Sequence, residues 1–114
     1  MRIFIDSSIL VEWSKGTQVD LLNHLLADDR YKLCVNQVVL SEYTYYLLII
    51  EGGKAPLTLK RDGSIPQLLA RHDPMAFLLT MNVLPNGNEI IPEYLRLMRE
   101  YNLLPNDALI LATC

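Results

Sequence analysis

Near its amino terminus the chain reads RIFIDSSIL, residues 2–10, an apolar run that ends on a carboxylate followed by two hydroxyl residues. The apolar run predicts a strand over about residues 2–5, and Ser7 and Ser8 are residue types that can begin a helix. In open α/β sheets, ligands bind beyond the carboxyl ends of the strands, which is where Asp6 falls. Asp6 is therefore a candidate site residue, although capping of the following helix would also explain it.

Strands and helices alternate along the rest of the chain. Hydrophobic spacing, glycines and prolines predict helices over about 8–15 and 18–29, a strand over 32–35, a helix over 37–51 ended by the Gly52-Gly53 pair, short helices over 65–71 and 74–80, a weak strand over 82–84, and helices over about 89–101 and from Pro105 onward. This order predicts an α/β fold with a central parallel sheet covered on both faces. The 114 residues allow a single domain, residues 1–114, and the 51% of hydrophobic residues can fill its core.

Charge is unevenly distributed along the sequence. The formal net charge is −3, yet residues 52–72 carry four bases and one acid. The net charge argues against a protein that coats nucleic acid. Glycine and proline over residues 52–66 predict an exposed basic loop inserted into the domain. Its Lys54, Lys60 and Arg61 are candidates for contacting RNA phosphates, and a solvated surface loop without a ligand is the alternative.

Two further acids occur in apolar surroundings. Glu42 shares a helix face with Val38 and Val39, where a carboxylate needs a cation, a hydrogen-bond donor or a metal ion to compensate its burial. Asp107 follows Pro105 and falls in the first turn of a helix, where the helix dipole favours negative charge. Each acid also has an ordinary explanation, Glu42 as the edge of an amphipathic helix and Asp107 as a capping residue.

In combination, three motifs resemble the PIN-domain nucleases, and especially the VapC-type toxins of toxin–antitoxin pairs. The motifs are IFIDSSIL at residues 3–10, VVLSE at residues 38–42 and LPNDALILA at residues 104–112. They are similar to the family's opening strand with its aspartate, its glutamate-bearing helix and its third acidic motif. The resemblance covers nearly the whole chain apart from the basic insert, and it implies a three-layer α/β/α fold.

The resemblance also implies an activity, namely metal-dependent hydrolysis of RNA phosphodiester bonds by an endoribonuclease toxin. Asp6 would be the central ligand of Mg²⁺ or Mn²⁺, Glu42 and Asp107 would be further ligands or supporting acids, and the Ser8 hydroxyl would orient them. Hard cations of this kind prefer carboxylate oxygens. The implied partners are an RNA substrate, an antitoxin protein and a second copy of the chain in a homodimer.

The sequence predicts a cytoplasmic protein without a membrane segment. The longest strongly apolar stretch, around residues 43–50, is far shorter than the roughly 18 to 20 residues that cross a bilayer. Asp6 and Glu12 would fall within the apolar region of any signal peptide.

One departure from the family pattern affects the functional prediction. The sequence ends at Cys114, within the helix that carries Asp107, whereas PIN domains continue into a further strand that usually brings a fourth acidic or polar residue to the site. We therefore expect a PIN-like fold without its C-terminal strand, with the strand over residues 2–5 as an unpaired edge. A catalytically incomplete PIN-like binding or interaction module is the alternative function. An HAD-type phosphatase is a weaker alternative, because Ser8 stands where such enzymes use an aspartate.

A cluster of tyrosines, YTYY at residues 43–46, follows Glu42 directly. Tyrosine offers a flat face and a hydroxyl, so the cluster could stack RNA bases or pack on a partner helix. Helical geometry spreads these side chains around the axis, so at least one of them should lie in the core.

Overall fold

The computed structural model describes residues 1–16 and 19–113, without the side chain of Val19. Within these residues the elements follow in the order β1 (Arg2–Phe4), α1 (Ser7–Ser14), α2 (Val19–Ala27), β2 (Lys32–Val35), α3 (Gln37–Gly52), α4 (Pro56–Arg61), α5 (Ile65–Arg71), α6 (Met75–Leu78), β3 (Asn82–Val83), α7 (Ile90–Tyr101) and α8 (Pro105–Thr113). The predicted α/β fold with a central parallel sheet is confirmed.

The described strands form one parallel sheet in the order β1-β2-β3. Leu33, Cys34 and Val35 of the middle strand β2 are all buried. Because successive side chains of a strand point to opposite faces, both faces of β2 are covered. β1 and β3 are the edge strands, and the chain leaves β1 through Ile5, whose N–H donates to the carbonyl oxygen of Cys34 at 2.8 Å.

The core joins the sheet to the first three helices. Side chains of β2, α1, α2 and α3 pack in one cluster with the residues next to the strands, and its members are Ile5, Leu10, Leu22, Leu33, Val35, Val39, Tyr43 and Met81. At its margin the rings of Trp13 and Phe77 are stacked, with centroids 4.1 Å apart and planes 7° from parallel. This stack joins α1 to α6, while Leu10 of α1 lies in the same buried cluster as Val39 and Tyr43 of α3.

The structure corrects the prediction of an exposed loop over residues 52–66. Gly53 ends α3 in the left-handed conformation with φ 66°, but Pro56 then begins α4, and Leu59 of that helix is only 2% exposed. A Cβ at Gly52 would lie 2.7 Å from the Leu59 side chain, so this glycine allows α4 to pack against the end of α3. The glycines and Pro56 mark where one helix ends and the next begins.

Other element boundaries differ from the prediction by a few residues. The helix predicted over 74–80 is the single turn α6, and the helix predicted over 89–101 begins at Ile90. For the helix predicted over 18–29, Gln18 lies outside the described residues and the helix ends at Ala27. No helix within residues 1–16 and 19–113 combines the length and the apolar character that crossing a bilayer requires.

Asn36 connects three elements at the carboxyl end of β2. Its side chain is fully buried, its Oδ1 accepts the N–H of Val39 at 2.9 Å in the first turn of α3, and its Nδ2 donates to Oγ1 of Thr113 at 3.0 Å near the end of α8. A buried amide that satisfies both of its polar ends fixes the direction in which the chain leaves the strand.

We predict that Asn36→Ala lowers the free energy of unfolding by about 2 kcal/mol, since it removes a helix cap and a buried side-chain hydrogen bond. Urea unfolding followed by circular dichroism measures the change. The matched control is Gln37→Ala at the neighbouring exposed position, for which we expect a change of no more than about 0.5 kcal/mol. Equal stability of the two variants would contradict the role assigned to Asn36.

Candidate acidic site

Asp6 lies just beyond the carboxyl end of β1 and caps α1. Its backbone is extended, with φ −77° and ψ 155°, and its Oδ1 accepts the N–H of Ser7 at 2.7 Å. Its Oδ2 accepts the hydroxyl of Ser8 at 3.1 Å. The capping role that the sequence left open is therefore present. The capping carboxylate can still bind another group, because each oxygen has a second lone pair and the residue is exposed to solvent.

The Ser7 hydroxyl links Asp6 to Glu42. Ser7 Oγ lies 3.2 Å from Oε1 of Glu42 on α3 and 3.4 Å from Oδ1 of Asp6. The residue is only 9% exposed, so its hydroxyl lies between the two helices and not in solvent. Two acids that are 36 positions apart in the sequence are thus brought to one hydroxyl group, whose single proton is donated to one of them at a time.

Ser7 is a candidate site residue that could not be recognised from the sequence patterns, which pointed to Ser8. The available signal was the helix face: Ser7 precedes the buried Leu10 by three residues and Ser14 by seven, which places all three on one side of α1. Ser14 confirms that this side meets α3, because its Oγ lies 2.7 Å from the hydroxyl oxygen of Tyr43.

Glu42 is half-buried, as expected for a residue on the same face as Val38 and Val39. None of the ion pairs between described residues includes Glu42 or Asp6. The Ser7 hydroxyl is therefore a hydrogen-bond donor for Glu42, while neither carboxylate lies within ion-pair distance of a described cationic side chain.

Asp107 lies in the first turn of α8 and is exposed, as predicted from Pro105 at the start of that helix. α8 packs on α7 and α3. No hydrogen bond between described residues joins Asp107 to Asp6 or Glu42, and across residues 1–16 and 19–113 no three His, Cys, Asp or Glu side chains are grouped closely enough to hold a metal ion. A role for Asp107 in the site stays a prediction.

The three basic candidates lie on and beside α4. Lys60 and Arg61 occupy its last turn and are exposed. Lys54 Nζ lies 3.3 Å from Oδ2 of Asp62, an exposed ion pair that a phosphate could replace at small energetic cost. Contact of these residues with RNA stays a prediction.

The donor set at Asp6 and Glu42 fits a hard divalent cation. Mg²⁺ commonly takes only one or two carboxylates from a protein and completes its octahedron with water and substrate phosphate oxygens. The hydroxyls of Ser7 and Ser8 add oxygen atoms and no competing positive charge. The pair therefore suits Mg²⁺ or Mn²⁺ better than a soft metal, which would select sulfur ligands.

We predict that Ser7→Ala lowers the free energy of unfolding of the metal-free protein by about 1 kcal/mol at neutral pH, because Glu42 loses its hydrogen-bond donor. Urea unfolding in the presence of a chelator measures the change. Ser8→Ala is the matched control, since the Ser8 hydroxyl is exposed and its hydrogen bond among the described residues is to Asp6. A change below about 0.5 kcal/mol is expected there. The bridging role fails if the two serine variants are equally stable.

Comparison with known proteins identifies the family of the chain. The profile of the PIN domain family matches residues 3–114. Ribonuclease VapC6 of Methanocaldococcus jannaschii is 29% identical over 124 aligned residues, which cover 99% of this chain and 80% of the relative. Ribonuclease VapC2 of the same organism is 27% identical over 115 residues, which cover 99% of this chain and 76% of the relative. No solved structure gives a significant match. On the strength of the family match over nearly its whole length, the chain belongs to the PIN domain family.

Proposed function

We propose that the chain is a metal-dependent endoribonuclease of VapC type that acts as the toxin of a toxin–antitoxin pair. The observation that carries the proposal is the acidic pair, in which Asp6 and Glu42 are joined by the Ser7 hydroxyl at the carboxyl end of β1. Two relatives that align with 99% of the chain are named ribonucleases, which supports RNA as the substrate.

In this proposal Asp6 and Glu42 hold Mg²⁺ or Mn²⁺, with Asp107 as a third acid on α8. When bound, the ion supplies a water of lowered pKa and neutralises negative charge on the scissile phosphate. The charges of the chain itself give a reason why a metal ion would be required. Two carboxylates repel an RNA phosphate, and a bound divalent cation would offset that repulsion.

The protein's own groups fix the acids in advance. The Ser7 N–H and the Ser8 hydroxyl each donate to one oxygen of Asp6, which restricts rotation of its carboxylate. The Ser7 hydroxyl sets the separation between Asp6 and Glu42. Groups that are already oriented need not reorganise during the reaction, and this is the main way in which a site of fixed charges accelerates phosphate chemistry.

Substrate affinity is proposed to come in part from the basic surface of α4. Lys54, Lys60 and Arg61 lie within residues 52–72, which carry four bases and one acid. Contacts of lysine and arginine with phosphates are independent of base sequence and weaken as salt concentration rises. These three residues would therefore hold the RNA backbone without selecting the cleavage site.

The toxin assignment includes partners. We propose an antitoxin protein that blocks the nuclease, a homodimer of this chain and action in the cytoplasm. Large apolar side chains are available on the surface for such contacts, since Leu57, Leu79 and Leu104 are 61%, 76% and 72% exposed.

A PIN-like binding module without catalysis is the second candidate function. The observation that favours it is the absence of a three-acid metal group within residues 1–16 and 19–113. The two candidates differ in one property, because a binding module would retain RNA or protein partners without cutting phosphodiester bonds.

We predict that the purified chain cleaves RNA in a mixed transfer-RNA pool with Mg²⁺ or Mn²⁺. Cleavage should stop when a chelator is added and resume when the metal is restored. Asp6→Asn and Glu42→Gln should each lower the rate about a hundredfold, because each removes a charged ligand. Gel analysis of the pool measures cleavage. Asp29→Asn, at an exposed aspartate before β2, is the matched control and should keep the wild-type rate.

Asp107→Asn tests the third acid in the same assay. A loss comparable to that of Asp6→Asn would place Asp107 in the site, and an unchanged rate would remove it. If the folded wild-type chain cleaves no RNA with either metal, the nuclease proposal is wrong and the binding module replaces it.

A further inference from the structure

The tyrosine cluster that follows Glu42 is divided between the core and the surface. Tyr43 is 3% exposed and belongs to the core, whereas Tyr45 and Tyr46 are 53% and 47% exposed. The rings of Tyr45 and Tyr46 meet edge to face, with centroids 6.0 Å apart and planes at 88°. This contact restricts the Tyr46 ring while leaving much of it in solvent. The prediction that at least one tyrosine of the cluster is a core residue is confirmed.

Tyr46 lines a groove between α1 and α3 that begins at the acidic site. We call it the α1–α3 groove; its volume is about 480 Å³. Ser7, Ser8 and Glu42 line it beside the acidic pair, and the other side chains that matter here are Val11, Lys15 and Tyr46. Tyr46 follows Glu42 by one helical turn, a rise of about 6 Å. Lys15 follows Ser8 by two turns on the same face of α1.

The composition of the groove favours a nucleotide over a partner helix. Three of its nine lining residues, Glu12, Lys15 and Glu42, carry formal charges. Protein interfaces are depleted of charged residues at their centres. Its volume falls within the range of about 300 to 1,000 Å³ that is typical of sites for small ligands. A mixed lining of aliphatic wall, aromatic ring and cation is also what single-stranded nucleic acid requires, since bases stack on rings and phosphates meet basic groups.

We propose that the α1–α3 groove binds one unpaired nucleotide next to the scissile phosphate, with its base stacked on Tyr46 and the following phosphate at Lys15. The inference rests on the proposed nuclease function and makes it more specific. A base can reach the Tyr46 ring only when it is outside a duplex, because in a helix both of its faces are covered by neighbouring bases.

Binding of a fluorescein-labelled oligouridylate to the full chain tests the proposal. Fluorescence anisotropy is measured in the Asp6→Asn background, which keeps the probe intact and removes one of the two carboxylate charges at the acidic site. Tyr46→Ala should raise the Kd about tenfold, the loss typical of one stacked base, and Tyr46→Phe should keep it within about twofold. Tyr101→Ala on α7, where the ring is 62% exposed, is the matched control and should leave the Kd unchanged.

Two further probes separate stacking from a general loss of binding. An oligomer that lacks its bases should bind the Asp6→Asn chain weakly. Its Kd should be the same whether residue 46 is tyrosine or alanine. Lys15→Gln should reduce the slope of log Kd against log salt by about one, since one phosphate contact is removed. Circular dichroism verifies that every variant is folded, which the partial exposure of Tyr46 leads us to expect.

The outcomes distinguish failure of this inference from failure of the nuclease proposal. If wild-type chain cleaves RNA but Tyr46→Ala binds the oligouridylate as tightly as its parent, the nucleotide assignment is overturned and the groove belongs to a protein partner. If wild-type chain neither cleaves nor binds RNA, the proposed function fails and the groove assignment fails with it. A tenfold loss confined to Tyr46→Ala supports the assignment.

Discussion

The Ser7 hydroxyl between Asp6 and Glu42 is the contact on which this site depends, and much of the fold is needed to produce it. β1 must end where Ile5 bonds to Cys34, so that Asp6 emerges beyond the sheet edge and caps α1. α1 must also present Ser7, Leu10 and Ser14 on the side that faces α3. The buried core at Leu10, Val39 and Tyr43 keeps that packing in place. Burial of apolar surface thus determines the separation of two charged groups that would otherwise move apart.

The same arrangement leaves an electrostatic imbalance. Like charges that are held together by packing raise the free energy of the folded state, and a single shared hydroxyl compensates only part of this. The ion pairs of the described residues all lie elsewhere, and they include Arg30 with Asp28 and Arg96 with Glu93. In both pairs the hydrogen bond from the arginine lowers the pKa of the acid. Asp6 and Glu42, which belong to no ion pair among the described residues, are thus our candidates for holding a divalent cation.

Features that depend on local sequence patterns could be predicted, whereas features that depend on contacts between residues far apart in the chain could not. Asp6 at a strand end, Glu42 on an amphipathic helix and Pro105 at a helix start follow from local patterns, and each lies where the pattern placed it. Ser7 was missed because its role depends on a contact with a residue 35 positions away. The loop predicted over residues 52–66 was wrong for a similar reason. Leu59 stabilises α4 by packing beside Gly52, and that contact cannot be seen in the composition of the segment. The relation of Asp107 to the acidic pair depends on how α7 and α8 pack, which helical periodicity does not specify.

The central claim is that Asp6 and Glu42 form a site for a divalent cation, and calorimetric titration with Mn²⁺ tests it most directly. The experiment compares the wild-type chain with Asp6→Asn, and circular dichroism verifies that both are folded. Saturable binding to the wild-type chain that is lost in the folded variant is the predicted result. A folded wild-type chain that takes up no Mn²⁺, or an Asp6→Asn variant that binds it with the same affinity, would contradict the account.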